Sequence, residues 1–440
     1  MSRHRLARLL IGSLLVLVGC SPPNSAPTSP VTPAMPSTEP TPLVVEPTTP
    51  ASTSTAAASS TPVPTLTPTL TATQEPAILA RCATDVAPTG GSLIRDGVVI
   101  YQFGLEGWAL SNTNSPPVEI TDLHNRLFEI SPFSGTLAWN FPGRQIYARF
   151  ANGDETQIAG DPAWGAFRQW LTGDRLILDE LLPLRYQYDE SFPAVDSFVE
   201  LDLASGQAIS RTVRLADNFA VDLVGALHDW RAVPAYDPAT ATKAIYARSQ
   251  PNGSHQLVMW DLMDDREVWS TEWGVLVKEA HFAWNSDGSQ AAIVTVLDGG
   301  GVNARRPELR LVAVDGSSVR LTHLSGAVEA PYSIVSPTWS PDGTKIAFIL
   351  SHATSFPDIG YTGSVAVLNL ATGVVTDFCT RQVQWLRGLV WSPDSGQLAF
   401  IAEENQLTVL DTDQAEMQIV YQIPTTNVAA VKGWIAYTPK

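Results

Sequence analysis

The sequence predicts an all-β protein, a β-propeller of four-stranded antiparallel blades. A hairpin pattern recurs along the chain and is clearest in residues 339–343, Trp-Ser-Pro-Asp-Gly, which are followed by the apolar run 346–350. The copies lie about 52 residues apart on average, which is in the range of a propeller blade. Each interval between clear copies also contains two further strand-like runs, so each unit supplies four strands.

The recurring hairpin is held by its turn chemistry. Trp339 ends a short apolar strand and serves as a large aromatic anchor. In the turn that follows, Pro341 presets φ, the Asp342 side chain can cap the turn, and Gly343 accepts a positive φ without steric cost. We therefore interpret the motif as structural. The residues assigned to the blade turns in this way are Trp284, Asp287, Gly288, Trp339, Asp342, Gly343, Trp391 and Asp394.

The number of blades follows from the anchors and the chain ends. The pattern is clear at the last three anchors and weaker at the first three. Strand-like runs at 98–103, 108–111 and 118–121 precede the first anchor, and one around Trp434 follows the last blade. We expect this C-terminal run to complete the N-terminal blade, which leaves no open sheet edge at the junction. Seven blades result, or six if one weak unit is not a blade. The anchors are Ile130, Trp170, Tyr236, Trp284, Trp339 and Trp391.

Residues 1–19 have the features of an export signal. Three arginines precede the apolar run 9–18, which is short for a membrane span. Residues 17–20, Leu-Val-Gly-Cys, resemble the lipobox of bacterial lipoproteins. The resemblance implies that Cys20 becomes a lipidated N-terminus, anchoring an extracytoplasmic protein to the bacterial cell membrane or envelope. The alternative is an uncleaved N-terminal transmembrane anchor, which also places the folded part outside the cytoplasm.

A composition change divides the rest of the chain. Residues 20–78 are dominated by Ser, Thr, Pro and Ala, without apolar periodicity, which predicts a disordered tether. Strand and turn patterns fill residues 79–440, which we assign to the propeller.

Charge and motif content exclude some functions. The formal charge is −17, with 27 basic and 44 acidic residues, which opposes binding to nucleic acid. The sequence has no zinc-protease, phosphate-binding or calcium-loop motif, and its seven histidines are scattered. We therefore expect no metal, no cofactor and no enzymatic activity.

The Trp-Ser-Pro-Asp-Gly hairpins resemble the repeats of the TolB-like, WD40-related (PD40) propellers. The resemblance extends over residues 79–440 and is strongest in the units anchored at Trp284, Trp339 and Trp391. It implies a binding or scaffolding module, and we expect a monomer whose partner is an envelope protein, a peptide or a glycan. The alternative is a propeller hydrolase or lyase acting on polysaccharide or peptide. In some relatives the propeller precedes a serine-peptidase domain, but no Gly-x-Ser-x-Gly nucleophile motif occurs in this sequence.

Three enlarged loops indicate where a ligand binds. They fall at 181–196, 298–307 and 351–363, between the second and third strands of their units, and therefore on one face of the ring. Aromatic and basic side chains on such loops are typical of a recognition surface. The predicted binding face contains Arg185, Tyr186, Tyr188, Arg305, Arg306, His352, Phe356 and Tyr361.

Cys82 and Cys379 are the only cysteines of the globular part. Export permits oxidation, so the two cysteines either form a disulfide that joins the entering chain to the ring or remain two separate thiols.

Overall fold

The computed structural model is a seven-bladed β-propeller, which confirms the predicted fold class and the larger of the two blade numbers. Six of the blades are continuous in sequence, and the innermost strand of each is its first in the chain. The structure describes residues 78–436 except 88–92, 96, 104–105, 112–115, 125, 127, 141–144, 162–163, 181–194, 215–234, 250–254, 272–281, 297–305, 329–331, 352–361, 385–387 and 425–428.

The strands follow one another in the predicted order. Two short strands, β1 (Ile78–Ala80) and β2 (Thr84–Asp85), precede the ring. Blade 1 begins with β3 (Val98–Phe103), β4 (Glu106–Leu110) and β5 (Val118–Glu119). Blade 2 contains β6 (Phe128–Ile130), β7 (Leu137–Asn140), β8 (Gln145–Arg149) and β9 (Glu155–Ala159). Blade 3 contains β10 (Trp164–Leu171), β11 (Arg175–Glu180), β12 (Val195–Asp202) and β13 (Ala208–Arg214). Blade 4 contains β14 (Ala235–Tyr236), β15 (Lys243–Ser249), β16 (His255–Asp261) and β17 (Arg266–Ser270).

The second half of the ring repeats this arrangement. Blade 5 contains β18 (Phe282–Trp284), β19 (Gln290–Val296), β20 (Pro307–Ala313) and β21 (Ser318–Arg320). Blade 6 contains β22 (Ser333–Trp339), β23 (Lys345–Ser351), β24 (Thr362–Asn369) and β25 (Val375–Asp377). A linking strand, β26 (Val383–Gln384), leads to blade 7, with β27 (Leu389–Trp391), β28 (Gln397–Ala402), β29 (Gln406–Asp411) and β30 (Glu416–Gln422). The last strand is β31 (Ala429–Ile435).

Helical structure in the described ranges consists of single 3₁₀ turns at Thr121–Leu123, Leu324–Gly326 and Glu403–Asn405. None of these turns has the length and apolar character that crossing a membrane requires.

The two ends of the chain share blade 1, as predicted. Strand β31 is the innermost strand of that blade and pairs antiparallel with β3, with Val98 opposite Ile435 and Phe103 opposite Ala429. The innermost strands of neighbouring blades also contact one another, for example β31 with β6 and with β27. The seven innermost strands therefore form the inner wall of the ring.

The core lies between the blades. In the described residues, seven clusters of buried apolar side chains each join two neighbouring blades. Phe400 of blade 7, for example, is fully buried in a cluster with Ala347 and Val367 of blade 6. Truncating such a side chain to Ala removes about 3–5 kcal/mol of stability. Because the seven clusters form a closed circuit, each blade is stabilised from both sides.

The tryptophan anchors add a repeated hydrogen bond between blades. In three consecutive blade junctions, the indole N–H donates to the carbonyl oxygen of the residue that precedes the anchor of the previous blade. The bonds run from Trp284 to Ala235 at 3.3 Å, from Trp339 to Ala283 at 2.8 Å and from Trp391 to Thr338 at 3.2 Å.

The turn after Trp339 has the geometry that its residues predict. Gly343 has φ +70°. The Ser340 hydroxyl donates to Asp342 Oδ1 at 2.6 Å, and the Lys345 N–H donates to Ser340 Oγ at 2.9 Å. Burial by itself would raise the pKa of Asp342, but hydrogen bonds from Ser340 and Thr344 outweigh it and lower that pKa below its ordinary value.

The N-terminal strands cover two outer sheet edges. Strand β1 pairs parallel with β25, the outermost strand of blade 6, and β2 pairs parallel with β30, the outermost strand of blade 7. The disulfide between Cys82 and Cys379 joins this segment to blade 6. Both cysteines are exposed to solvent. The segment therefore closes edges that would otherwise offer unpaired backbone groups.

Candidate functional site: a charged cavity in the central channel

A cavity of about 340 Å³ lies against the inner strands of blades 2 to 5. It extends toward the turns that follow these strands, since Pro132, Phe133 and Pro238 contribute to its wall. Its volume is at the lower end of the range of small-ligand sites, about 300–1,000 Å³. The lining residues are Glu129, Pro132, Phe133, Phe167, Arg168, Gln169, Trp170, Leu176, Ala235, Pro238, Phe282, Ala283 and Trp284.

Charged residues are rare on the inner wall and lie together. Within the bounds of the seven inner strands, the charged residues are Lys432 on β31, Glu129 on β6 and Arg168 on β10. These strands belong to blades 1, 2 and 3, which are consecutive in the ring. The three side chains sum to one positive charge in a chain whose formal charge is −17. Within these strand bounds the wall therefore carries two cations and one anion.

Both cations are placed by β-bulges. On β10, Phe167 pairs with Leu178 and Gln169 pairs with Ile177, so that Arg168 is the extra residue of the inner strand. On β31, Lys432 is likewise the extra residue between Val431 and Gly433, which pair with consecutive residues of β3. A bulge turns a side chain away from the regular alternation and is common beside binding sites. Strand β22 also bulges, at 336–337, but carries no charge there.

Arg168 is a buried cation in the cavity wall. Its side chain is 6% exposed and forms an ion pair with Asp179, whose Oδ1 lies 3.9 Å from the guanidinium nitrogen Nη1. The guanidinium carbon lies 5.4 Å from the ring centroid of Tyr236 and 5.9 Å from that of Phe198. These distances permit a cation–π interaction, which stabilises the charge away from water. An arginine held in this way can bind a carboxylate through two parallel hydrogen bonds.

Glu129 and Lys432 form the second charged feature. The Lys432 ammonium donates to Glu129 Oε1 at 2.9 Å, and the side chains are 22% and 32% exposed, respectively. Glu129 lines the cavity, so its carboxylate is both oriented by Lys432 and accessible from the cavity. A carboxylate in this setting can accept a hydrogen bond or a proton from a bound molecule.

Trp170 and Gln169 complete the polar part of the wall. The Gln169 amide binds the backbone of Tyr236, because it donates to the Tyr236 carbonyl at 2.6 Å and accepts from the Tyr236 N–H at 2.9 Å. The buried indole N–H of Trp170 has no acceptor in the described structure, although the side chain is 7% exposed. An unmade hydrogen bond of this kind costs about 1–3 kcal/mol. A ligand acceptor in the cavity would remove that cost.

The sequence predicts the binding face on the three enlarged loops and not in this cavity. The three enlarged loops do lie between the second and third strands, of blades 3, 5 and 6, but seven of the eight predicted binding residues lie outside the described residues. The remaining one, Arg306, is exposed and directly precedes β20. The predicted residues outside the description are Arg185, Tyr186, Tyr188, Arg305, His352, Phe356 and Tyr361.

A second titratable cluster lies on the outer part of blade 1. His124 Nδ1 is 2.9 Å from Glu119 Oε1 and 4.0 Å from Glu106 Oε1. The three side chains could offer ligand atoms within 4.8 Å of one another. Sequence reasoning missed the cluster because pairing of β4 with β5 is needed to bring Glu106 beside Glu119.

The known proteins that resemble this chain are distant from it in sequence. No protein-family profile matches the chain. The uncharacterized peptidase YuxL of Bacillus subtilis (strain 168) is 29% identical over 107 residues, which are 22% of this chain and 15% of that protein. The chain thus corresponds to a small part of that relative's length.

The solved structures that align with this chain include two lyases and a protease. An oligogalacturonate lyase in complex with manganese aligns at 14% identity over 76% of this chain and 87% of its own, with a TM-score of 0.44. The lyase of Vibrio parahaemolyticus aligns at 13% identity over 75% and 87%, with a TM-score of 0.43. The tricorn protease aligns at 8% identity over 82% of this chain and 36% of its own, with a TM-score of 0.44. At these identities the likeness is one of fold.

The expectation that the protein is not an enzyme is wrong as a conclusion from missing motifs. The relative found by sequence is named a peptidase. Charged groups that come from separate blades form no contiguous motif, and Glu129, Arg168 and Lys432 are such a set.

Proposed function

We propose that the protein is a lipid-anchored, extracytoplasmic propeller that binds its ligand in the cavity of the central channel. That ligand is a protein segment, a peptide or a glycan. The single observation that carries this proposal is the cavity itself, where a mostly apolar wall contains Arg168, on a bulge, and the carboxylate of Glu129, which Lys432 orients. The resemblance of the hairpins to TolB-like repeats supports a binding role.

A cavity-filling variant tests the proposal. Ala283 lines the cavity, so Ala283→Leu is expected to reduce binding by occupying space that the ligand needs. Ala204→Leu, at an exposed position of blade 3, is the matched control with the same change in volume. Binding is measured by calorimetry with short peptides and with neutral and acidic oligosaccharides. Equal affinity in both variants and the wild type would exclude the cavity as the site.

The membrane anchor is tested separately. Mass spectrometry of the mature N-terminus is expected to find a diacylated Cys20, and Cys20→Ala should release the protein from membranes. An unmodified Met1 or Cys20 would contradict lipidation without affecting the cavity proposal.

A hydrolase or lyase acting on peptide or polysaccharide is the second candidate, and Glu129 is the observation that favours it. Its carboxylate lines the cavity and is oriented by Lys432. In hydrolysis, Glu129 would accept a proton from the water that adds to the bond. In elimination, it would accept the proton beside the leaving group. The leaving group receives that proton in both cases.

Turnover assays on peptides and acidic polysaccharides test this candidate. Activity that Glu129→Gln abolishes, with ligand binding retained, would establish it. Activity unaffected by Glu129→Gln would exclude Glu129 as the catalytic group.

A further inference from the structure

We propose that Glu106, Glu119 and His124, on the outer part of blade 1, form a binding site for a divalent transition-metal ion such as Zn²⁺. The inference goes beyond the proposed function, because none of these three residues lines the channel cavity. It follows from the mixed set of ligand atoms, from the way the fold holds the three residues together and from the negative charge that the two glutamates bring to one place.

Strand pairing brings the two glutamates to one face of the sheet. Glu119 on β5 lies opposite Trp108 on β4. Glu106 is two residues before Trp108 on the same strand, so its side chain is on the face that Trp108 and Glu119 share. Strand β5 is the outermost strand of blade 1, and the side chains of Glu106 and Glu119 are 35% and 34% exposed. The two carboxylates are therefore accessible to an ion from solvent.

The 3₁₀ turn that follows β5 brings an imidazole to these carboxylates. Leu123 in this turn is fully buried, and a β-carbon on Gly107 would lie 2.6 Å from Leu123 Cδ1. The absence of a side chain on Gly107 therefore lets the turn pack against β4, directly beside Glu106. His124 follows the turn, and its Nδ1 lies 2.9 Å from Glu119 Oε1 and 4.0 Å from Glu106 Oε1.

These separations fit one ion after small rotations of partly exposed side chains. The three side chains offer ligand atoms within 4.8 Å of one another. Nitrogen and oxygen ligands lie about 2.0–2.2 Å from Zn²⁺, so two ligands of a tetrahedral site are about 3.3 Å apart. His124 binds the ion through Nδ1, in the tautomer that carries its proton on Nε2. Three protein ligands leave a fourth position for water or for a group of another molecule.

The charge of the two glutamates is not balanced by a lysine or an arginine. Among the described residues, the ion-pair partner of both glutamates is His124. A different arrangement occurs close by, where Asp122 and Glu155 share Arg149, whose Nη2 lies 3.0 Å and 2.7 Å from their oxygens. A divalent cation would supply the positive charge that an arginine supplies there.

The ligand atoms select the class of ion. Imidazole suits Zn²⁺ and other late transition metals, whereas Ca²⁺ and Mg²⁺ prefer sites built from oxygen atoms. His124 therefore distinguishes this site from a group of acidic side chains on a protein surface. The ligands come from β4, β5 and the turn after β5, so they form no contiguous metal-binding motif in the sequence.

A titration with metal ions tests the site. The full chain is purified without a histidine tag, freed of metal with a chelator and dialysed. Calorimetry is expected to show one Zn²⁺ site per chain, with an affinity at least about tenfold higher for Zn²⁺ than for Ca²⁺. Absence of Zn²⁺ binding, or equal affinities for the two ions, would overturn the inference.

Variants assign the binding to these residues. Glu106→Gln, Glu119→Gln and His124→Gln are each expected to lower the affinity for Zn²⁺ at least about tenfold, since changes even to the partners of metal ligands cost about 10–100-fold. Glu403→Gln, at an exposed position, and His323→Gln, at a half-buried one, are the matched controls and should bind as the wild type does. Urea unfolding without metal establishes that every variant is folded. Equal affinities in the ligand variants and the controls would overturn the assignment.

Discussion

Lys432 and Glu129 are 303 residues apart in the sequence, and the Lys432 ammonium donates a 2.9 Å hydrogen bond to the Glu129 carboxylate. Lys432 lies on the C-terminal strand that completes blade 1, and Glu129 lies on the first strand of blade 2. One ion pair therefore connects the closure of the ring to the wall of the central cavity.

The Lys432–Glu129 pair is expected to stabilise the closed ring modestly. Both side chains are partly exposed, so a double-mutant cycle of Lys432→Met and Glu129→Gln should give a coupling energy of about 1 kcal/mol. Urea unfolding of the four proteins measures it. Strictly additive effects of the two substitutions would show that the pair contributes nothing to closure.

The inter-blade indole bond is expected to have a measurable effect of its own. Trp339→Phe leaves the Ala283 carbonyl without its donor, whereas Trp260→Phe removes an indole N–H that has no acceptor. We expect the first substitution to lower the free energy of unfolding by about 1 kcal/mol more than the second. Equal losses in chemical unfolding would contradict a role for the hydrogen bond.

Reduction of the Cys82–Cys379 disulfide is expected to loosen the N-terminal segment from blades 6 and 7. Cys82→Ser should lower the free energy of unfolding by about 2–4 kcal/mol. Hydrogen exchange should rise first in β1 and β25, because the disulfide lies beside their pairing. Dithiothreitol should have the same effect on the wild type and none on Cys82→Ser. Unchanged exchange after reduction would contradict this account.

Acid is expected to weaken the blade turns. Burial alone would raise the pKa values of Asp342 and Asp394, but hydrogen bonds, chiefly from Ser340 and Ser392, lower both in the folded protein. A lowered pKa contributes stability above the unfolded value of about 4, and that stability is lost as pH falls through the folded value. Asp342→Asn should therefore flatten the fall in unfolding midpoint below about pH 4. An unchanged pH dependence would contradict the assignment.

The blades could be predicted from the sequence because their turns are local. Asp342 and Gly343 act within one hairpin, and Trp339 ends the first strand of that hairpin, so a short stretch of sequence marks where each blade begins. Even the weak anchors Trp170 and Tyr236 end or nearly end a first strand, as predicted. Ring closure could be predicted for a similar reason, because both chain ends left strands without partners.

The cavity could not be predicted because its chemistry is not local. Arg168 is in the wall because β10 bulges against β11, and a bulge is visible only once the strands are paired. Lys432 meets Glu129 only when the ring closes. The sequence predicts a binding face on the loops instead, because long insertions with aromatic and basic residues are easily recognised in a sequence. A single charged residue within an apolar strand is not.

The most direct test of the central claim, that the ligand binds in the channel cavity, is hydroxyl-radical footprinting with whichever short peptide or oligosaccharide binds in the calorimetric panel. Binding is expected to protect the half-buried cavity residues Phe133, Phe282 and Trp284, while Met263, which is 76% exposed on blade 4, reacts as before. Protection confined to the loops 181–194, 297–305 and 352–361, with the cavity residues unchanged, would contradict the claim and return the binding site to the loop face.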